Sequence, residues 1–162
     1  SLTKCAAPGV RVGALCAHGA ALARLRHARL IDDFFVPGYL QEVVLQLVTA
    51  SAWPQHLRQL RSALRIRRDA LIAALSQHFG GDCLSLIPSG GLHLWLRLPP
   101  GVSDREVQRL AAEKGVLVSP GCHWFPAEPP ESFLRLSFAA ATPEQIETGI
   151  PMLAQAVQDA SS

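Results

Sequence analysis

The chain has 162 residues, 49% of them hydrophobic and 17% charged, a globular composition with ample material for a core that excludes a disordered chain. Its formal charge of +2 comes from thirteen arginines and two lysines against 13 acidic residues, too mild a surplus to argue for nucleic acid by itself. Four scattered cysteines without CxxC spacing, and no apolar stretch near the roughly 18 to 20 residues that span a bilayer, predict a cytoplasmic protein with reduced thiols, no metal site and no membrane insertion.

The chain opens without methionine, on Ser1-Leu2-Thr3-Lys4 just before a Gly/Pro turn, as a piece cut from a longer polypeptide would. The apolar run from Val10 to Ala17 predicts a buried strand, followed by a short helix to about Arg29. Leu40, Val43, Val44, Leu47 and Val48 then fall at the spacing of an amphipathic helix. After Trp53-Pro54, a proline suited to a first helical turn, a long helix is predicted from Gln55 to Phe79, stopped by Gly80-Gly81. Leu57, Leu60, Leu64, Leu71 and Leu75 mark its inner side. Arg58, Arg61, Arg65 and Arg68 stripe the outer side, which reads as a solvated helix face.

Two β-type runs, Cys83 to Ile87 and Leu92 to Leu98, flank Pro88-Ser89-Gly90-Gly91 and predict a hairpin or two adjacent strands. Ser103 can cap a helix from about Asp104 to Lys114 with Val107, Leu110 and Ala111 inward, ended by Gly115. Val116 to Ser119 predicts a short strand, Pro120 to Pro130 a long loop, and Phe133 to Phe138 an alternating strand. Thr142-Pro143-Glu144-Gln145 supplies a capping box for a last helix whose apolar stripe is Ile146, Ile150, Leu153 and Val157, with Pro151 predicted to kink it. The order of elements predicts an α+β layer of helices on a mostly antiparallel sheet from about residue 55 onward.

Five segments carry chemistry. The opening residues Ser1 to Gly13 fit the pattern S-x-S/T-K-x-x-x-P-G-x-R-x-G. His56-Leu57-Arg58 through Arg67-Arg68-Asp69-Ala70-Leu71 forms an arginine-rich helix, with Ala63 and Leu64 where the comparable pattern has a tyrosine nearby. Pro88 to Leu96 fits P-x-G-G-x-F/H-x-W, and Gly115 to Gly121 fits G-V-x-x-x-P-G, in which Gly121 is expected at a positive φ. Phe133 to Phe138 places Arg135 on the strand face opposite Leu134, Leu136 and Phe138, where it can enter a cleft. The Cys122-His123 pair is no nucleophile and base, since neighbours in an extended turn point apart. His93 by itself is a satisfied residue on a half-buried strand, and Lys4 by itself merely precedes a turn.

Taken together, in order and spacing along nearly the whole chain, these segments resemble the C-terminal part of fold-type I, class I/II aminotransferase-like proteins. The resemblance lies closest to the MocR/GntR-type transcription regulators and the aminoadipate-type aminotransferases, and His93 leans toward the regulators. It implies pyridoxal 5'-phosphate as cofactor, Lys4 as the catalytic Schiff-base lysine, and Ser1 and Arg11 as phosphate ligands. An amine condenses with an aldehyde as no other side chain does so readily, and a guanidinium presents a planar fork to phosphate oxygens. The resemblance further implies that Arg135 takes the α-carboxylate of an amino acid or 2-oxo acid across the cleft from the phosphate site. Residues 1–50 are then the tail of the large cofactor domain, 51–80 an interdomain helix and 81–162 the small C-terminal domain.

Homodimerisation is a further implication, and DNA would be bound only through an upstream winged-helix domain. The remaining cofactor ligands lie upstream of Ser1 in the family, so the 162 residues alone are expected to hold the cofactor weakly or not at all and to be inactive. Two alternatives stay open: part of a free-standing amino acid aminotransferase, or a cofactor-free interaction domain.

Overall fold

The structure, a computed structural model, describes residues 1–32 and 34–161. They form two compact units, Ser1–Arg61 and Ser62–Ser162.

The first unit is helical. It begins with two single 3₁₀ turns, Leu2–Lys4 and Pro8–Val10, followed by helices α1 (Gly19–Asp32) and α2 (Gly38–Thr49) and the start of α3 (Trp53–Phe79). The strand expected over Val10 to Ala17 does not form. Residues 11–18 take part in no ladder, Val12 alone of the run is buried, and Leu15 is 80% exposed. A strand is stabilised by the neighbour that satisfies its amides, and no other described segment of this unit is extended beside it. The one long-range backbone bond of the stretch is Leu2 N–H to the Val12 carbonyl at 3.0 Å.

The second unit holds the core. Its sheet has three strands, β1 (His93–Arg97), β2 (Ser119–Pro120) and β3 (Phe133–Ser137), in the order β1-β3-β2 and antiparallel throughout. Alternation sends Leu94, Leu96, Leu134 and Leu136 to one face, where they are buried against Leu71 and Leu75 of α3, Val107 and Ala111 of α4 (Asp104–Glu113) and Ile146, Ile150, Leu153 and Val157 of α5 (Pro143–Ala160). The caps read from the sequence are present. Ser103 Oγ accepts from Glu106 N–H, and Thr142 and Gln145 close a reciprocal capping box. α5 runs through Pro151 as one helix.

Two expectations about strands are corrected here. Cys83 to Ile87 does not pair with β1, whose partner is β3, with His93 opposite Ser137 and Arg97 opposite Phe133. Arginine guanidiniums take the carbonyls at both ends of that run: Arg97 donates to Asp82 O at 3.1 Å and Arg68 to Pro88 O at 3.2 Å. Residues 116–118 likewise miss the sheet, since Val116 N–H bonds the Ala111 carbonyl and Gln108 Nε2 donates to Val118 O, tying the segment to α4. The ladder therefore starts only at Ser119. Arg68 also departs from the solvated stripe, because it is folded onto Asp69 and Pro88, whereas Arg58, Arg61 and Arg65 are exposed as read.

Candidate functional site

Each unit carries its own set of functional groups. In the first, the Leu2–Val12 hydrogen bond closes a small loop whose two ends are flanked by Ser1 and Arg11. Ser1 caps the Leu2–Lys4 turn without using its hydroxyl. Lys4 ends that turn, and the carbonyl of the following Cys5 is held at 2.7 Å from His56 Nε2, whose ring stacks on Trp53. Lys4 and Arg11 are exposed and make no ion pair among the described residues.

Arg11 has φ 50°, a left-handed conformation that costs a non-glycine residue about 1 to 2 kcal/mol. Five cations, Lys4, Arg11, Arg24, Arg26 and Arg29, precede the first acidic residue, Asp32. An amine, a hydroxyl and a guanidinium around one closed loop in an acid-free stretch fit an aldehyde-bearing phosphate such as pyridoxal 5'-phosphate.

In the second unit, Arg135 is the middle residue of the middle strand. Trp95 of β1 and Ser119 of β2 are its register partners on either side. Its guanidinium carbon lies 3.7 Å from the centroid of the Trp124 ring, a cation–π contact, and Trp124 Nε1 donates to Ser119 Oγ at 3.3 Å. Arg135 Nε is buried and has no hydrogen-bond partner among the described residues. An unpaired buried donor costs stability, and a ligand's carboxylate would meet the terminal nitrogens of the guanidinium and not this buried atom. A carboxylate matches the planar fork in geometry and charge.

The turn that carries Trp124 is set by two contacts that sequence reasoning missed. Asp104 at the start of α4 is buried and accepts Cys122 N–H at 2.9 Å. Gly121 does not have positive φ, contrary to expectation. A Cβ there would lie 2.7 Å from Phe133 Cβ and from Phe133 O, so glycine is required by the close approach of β3. Residues Gly121–Trp124 form a 3₁₀ turn rather than an extended one, with the Cys122 amide held by Asp104. Neither the Trp124 stack nor the Asp104 anchor has a local signal, since each joins residues eleven or more positions apart through the fold. Elsewhere Arg67 of α3 donates to Ala139 O at 2.7 Å, a structural tie just beyond β3.

Among the described residues no cluster of His, Cys, Asp and Glu could hold a metal, and no helix is long and apolar enough to cross a membrane.

A family model described as aminotransferase class I and II matches residues 3–153. The HTH-type transcriptional regulator YdfD of Bacillus subtilis is 28% identical over 162 residues, 100% of this chain and 33% of the regulator. The 2-aminoadipate transaminase of Thermus thermophilus is 31% identical over 158 residues, 98% of this chain and 40% of that enzyme. Among solved structures, LysN, an α-aminoadipate aminotransferase of Thermus thermophilus complexed with N-(5'-phosphopyridoxyl)-L-leucine, superposes with a TM-score of 0.86 at 30% identity, over 99% of this chain and 41% of LysN. The chain thus spans about a third to two fifths of the length of these relatives.

Proposed function

The chain belongs to the class I and II aminotransferase family and has the fold of fold-type I aminotransferases, and from that premise we propose that it is the C-terminal region of a pyridoxal phosphate-binding effector domain in a MocR-type transcription regulator. The observation that carries the reading is the Arg135 guanidinium, stacked on Trp124, a receptor for the α-carboxylate of an amino acid or 2-oxo acid. In this proposal residues 1–50 are the tail of the large cofactor domain, 51–80 an interdomain helix and 81–162 the small domain. The protein works in the cytoplasm as a homodimer and meets DNA through an upstream domain.

Bound pyridoxal phosphate supplies an aldehyde and a ring that draws electrons from the α-carbon of an amino acid. Lys4 Nζ would hold the aldehyde, and its amine could move the α-proton as general base and acid. Ser1 Oγ and the Arg11 guanidinium orient the phosphate, the first as a neutral donor and the second as a charged fork. Arg135 would hold the carboxylate of the ligand in a bidentate contact that fixes its orientation.

The similarity to a helix-turn-helix regulator along the whole chain supports the regulatory reading, as does His93 in the P-x-G-G-x-F/H-x-W segment. A second reading, a free-standing aminotransferase, has the 31% identity to a transaminase behind it. Full-length protein with pyridoxal phosphate separates them. A regulator binds DNA with an affinity that changes when an amino acid is added and shows little multiple-turnover transamination. A free-standing enzyme passes the amino group to a 2-oxo acid over many turnovers and binds no DNA. No binding of pyridoxal phosphate by the wild type, with its other activity left unchanged by Lys4→Ala, would contradict both and favour a cofactor-free interaction domain.

A further inference from the structure

We propose that His56 is a positioning residue for Lys4: its imidazole, seated on Trp53, holds the Cys5 carbonyl and so fixes the stretch of backbone from which the lysine projects. This rests on the reading of Lys4 as the cofactor lysine and adds the residue that aims it.

Residues 1–13 are held by little packing, since Val12 is the one buried residue among them. The turn around Lys4 is closed by its own backbone. Cys5 N–H and Ala6 N–H both donate to Leu2 O, at 3.2 and 2.9 Å, and Leu2 N–H donates to Val12 O at 3.0 Å. Those bonds are internal to the segment and do not set its bearing on the helices of the first unit. Among the described residues a single hydrogen bond does so, from His56 Nε2 to Cys5 O at 2.7 Å, between residues 51 positions apart.

A carbonyl oxygen only accepts, so Nε2 carries the proton, as it does both in the neutral Nε2–H tautomer and in the imidazolium. The ring is itself held. His56 lies in the first turn of α3, its amide donates to Ala52 O at 3.0 Å, and its ring stacks on the half-buried Trp53 with centroids 5.3 Å apart and planes 26° from parallel. A donor whose direction is locked by packing constrains its acceptor more than one free to rotate. The held carbonyl is one residue beyond Lys4, whose amine sits at the end of a long side chain, so a small rotation of the backbone is enlarged at Nζ. A misplacement of about 1 Å at a reacting atom costs up to about a hundredfold in rate. The bond itself lies at the surface, with His56 exposed, and contributes little to folding.

Full-length protein is incubated with graded concentrations of pyridoxal phosphate, reduced with borohydride and mapped by mass spectrometry. The concentration that gives half of the full phosphopyridoxyl labelling of Lys4 is read for each variant, and thermal melting is recorded without cofactor. His56→Phe keeps a ring for Trp53 and loses the donor. It is expected to raise the half-labelling concentration about two- to tenfold, what one hydrogen bond supplies, at an unchanged melting midpoint. His56→Gln offers an amide N–H at a similar reach and should recover most of that loss. Labelling of Lys4 that is the same in wild type and His56→Phe would overturn the positioning role and leave Lys4 standing as the cofactor lysine. A fall shared equally by His56→Phe and His56→Gln, or one that tracks the melting midpoint, would overturn it too, by showing a structural contact only. Lys4 left unlabelled in the wild type would overturn the reading of Lys4 and the role of His56 with it.

Discussion

The two units divide structure and reactivity unequally. Residues 62–161 bury a continuous cluster of eighteen side chains drawn from α3, the sheet, α4, α5 and the segments that join them, and within it Leu75, Leu96, Val107, Leu134 and Leu153 are wholly inaccessible. The first unit buries only Val12 and Val44 among its described apolar residues and leaves Leu30, Ile31, Phe34, Phe35 and Tyr39 largely exposed, yet it holds the lysine and the phosphate ligands proposed above. Fold stability by self-packing therefore resides in one unit and most of the proposed cofactor chemistry in the other.

Matched truncations test that contrast most sharply. Leu96→Ala, in the second unit, should cost about 2 to 5 kcal/mol in denaturant unfolding, whereas Leu30→Ala, 60% exposed, should change stability by no more than about 0.5 kcal/mol. Equal costs would erase the distinction. Gly121→Ala should cost about 1 to 3 kcal/mol by pushing the new Cβ into β3, and because Trp124 follows on the same turn it should also weaken carboxylate binding. Thr142→Ala, which opens the capping box of α5, should cost about 1 kcal/mol by the same measurement.

Arg11→Gly sharpens the comparison from the other side. Relief of the left-handed backbone should raise the thermal stability of the first unit by at most about 1 kcal/mol, while affinity for pyridoxal phosphate falls. A variant that loses stability and keeps the cofactor would show that Arg11 is aimed for packing. The smallest effect concerns Asp159, whose carboxyl is held below its ordinary value by hydrogen bonds from Gln155 and then Lys114. A depressed folded value means that its contribution is present above the unfolded carboxylate range and is lost as pH falls through the folded value. The advantage of the wild type over Asp159→Asn in thermal melting should thus be present at neutral pH and vanish in acid.

The helices of this chain were legible because their determinants are local. Apolar spacing places α2 and α3, and Ser103 and the Thr142–Gln145 box mark where α4 and α5 begin, to within two residues of the observed bounds. Strand pairing was not legible, since β composition at Cys83 to Ile87 and Val116 to Ser119 does not say whether backbone groups will meet a strand, an arginine or a helix. Arg135 was placed on the correct face by alternation alone. Its stack on Trp124 and its orphaned Nε depend on a turn held by Asp104 and by the absence of a side chain at Gly121, which no periodicity records.

Lys4 is proposed as the cofactor lysine, and the chain's second lysine, Lys114, is an internal control, since it pairs with Asp159 at 2.9 Å. Full-length protein is incubated with pyridoxal phosphate, reduced with borohydride, digested and mapped by mass spectrometry. Within this region a phosphopyridoxyl group is expected on Lys4, lost in Lys4→Ala and weakened in Arg11→Ala, with Lys114 unmodified. Labelling shared equally by Lys4 and Lys114, or absent from Lys4, would contradict it.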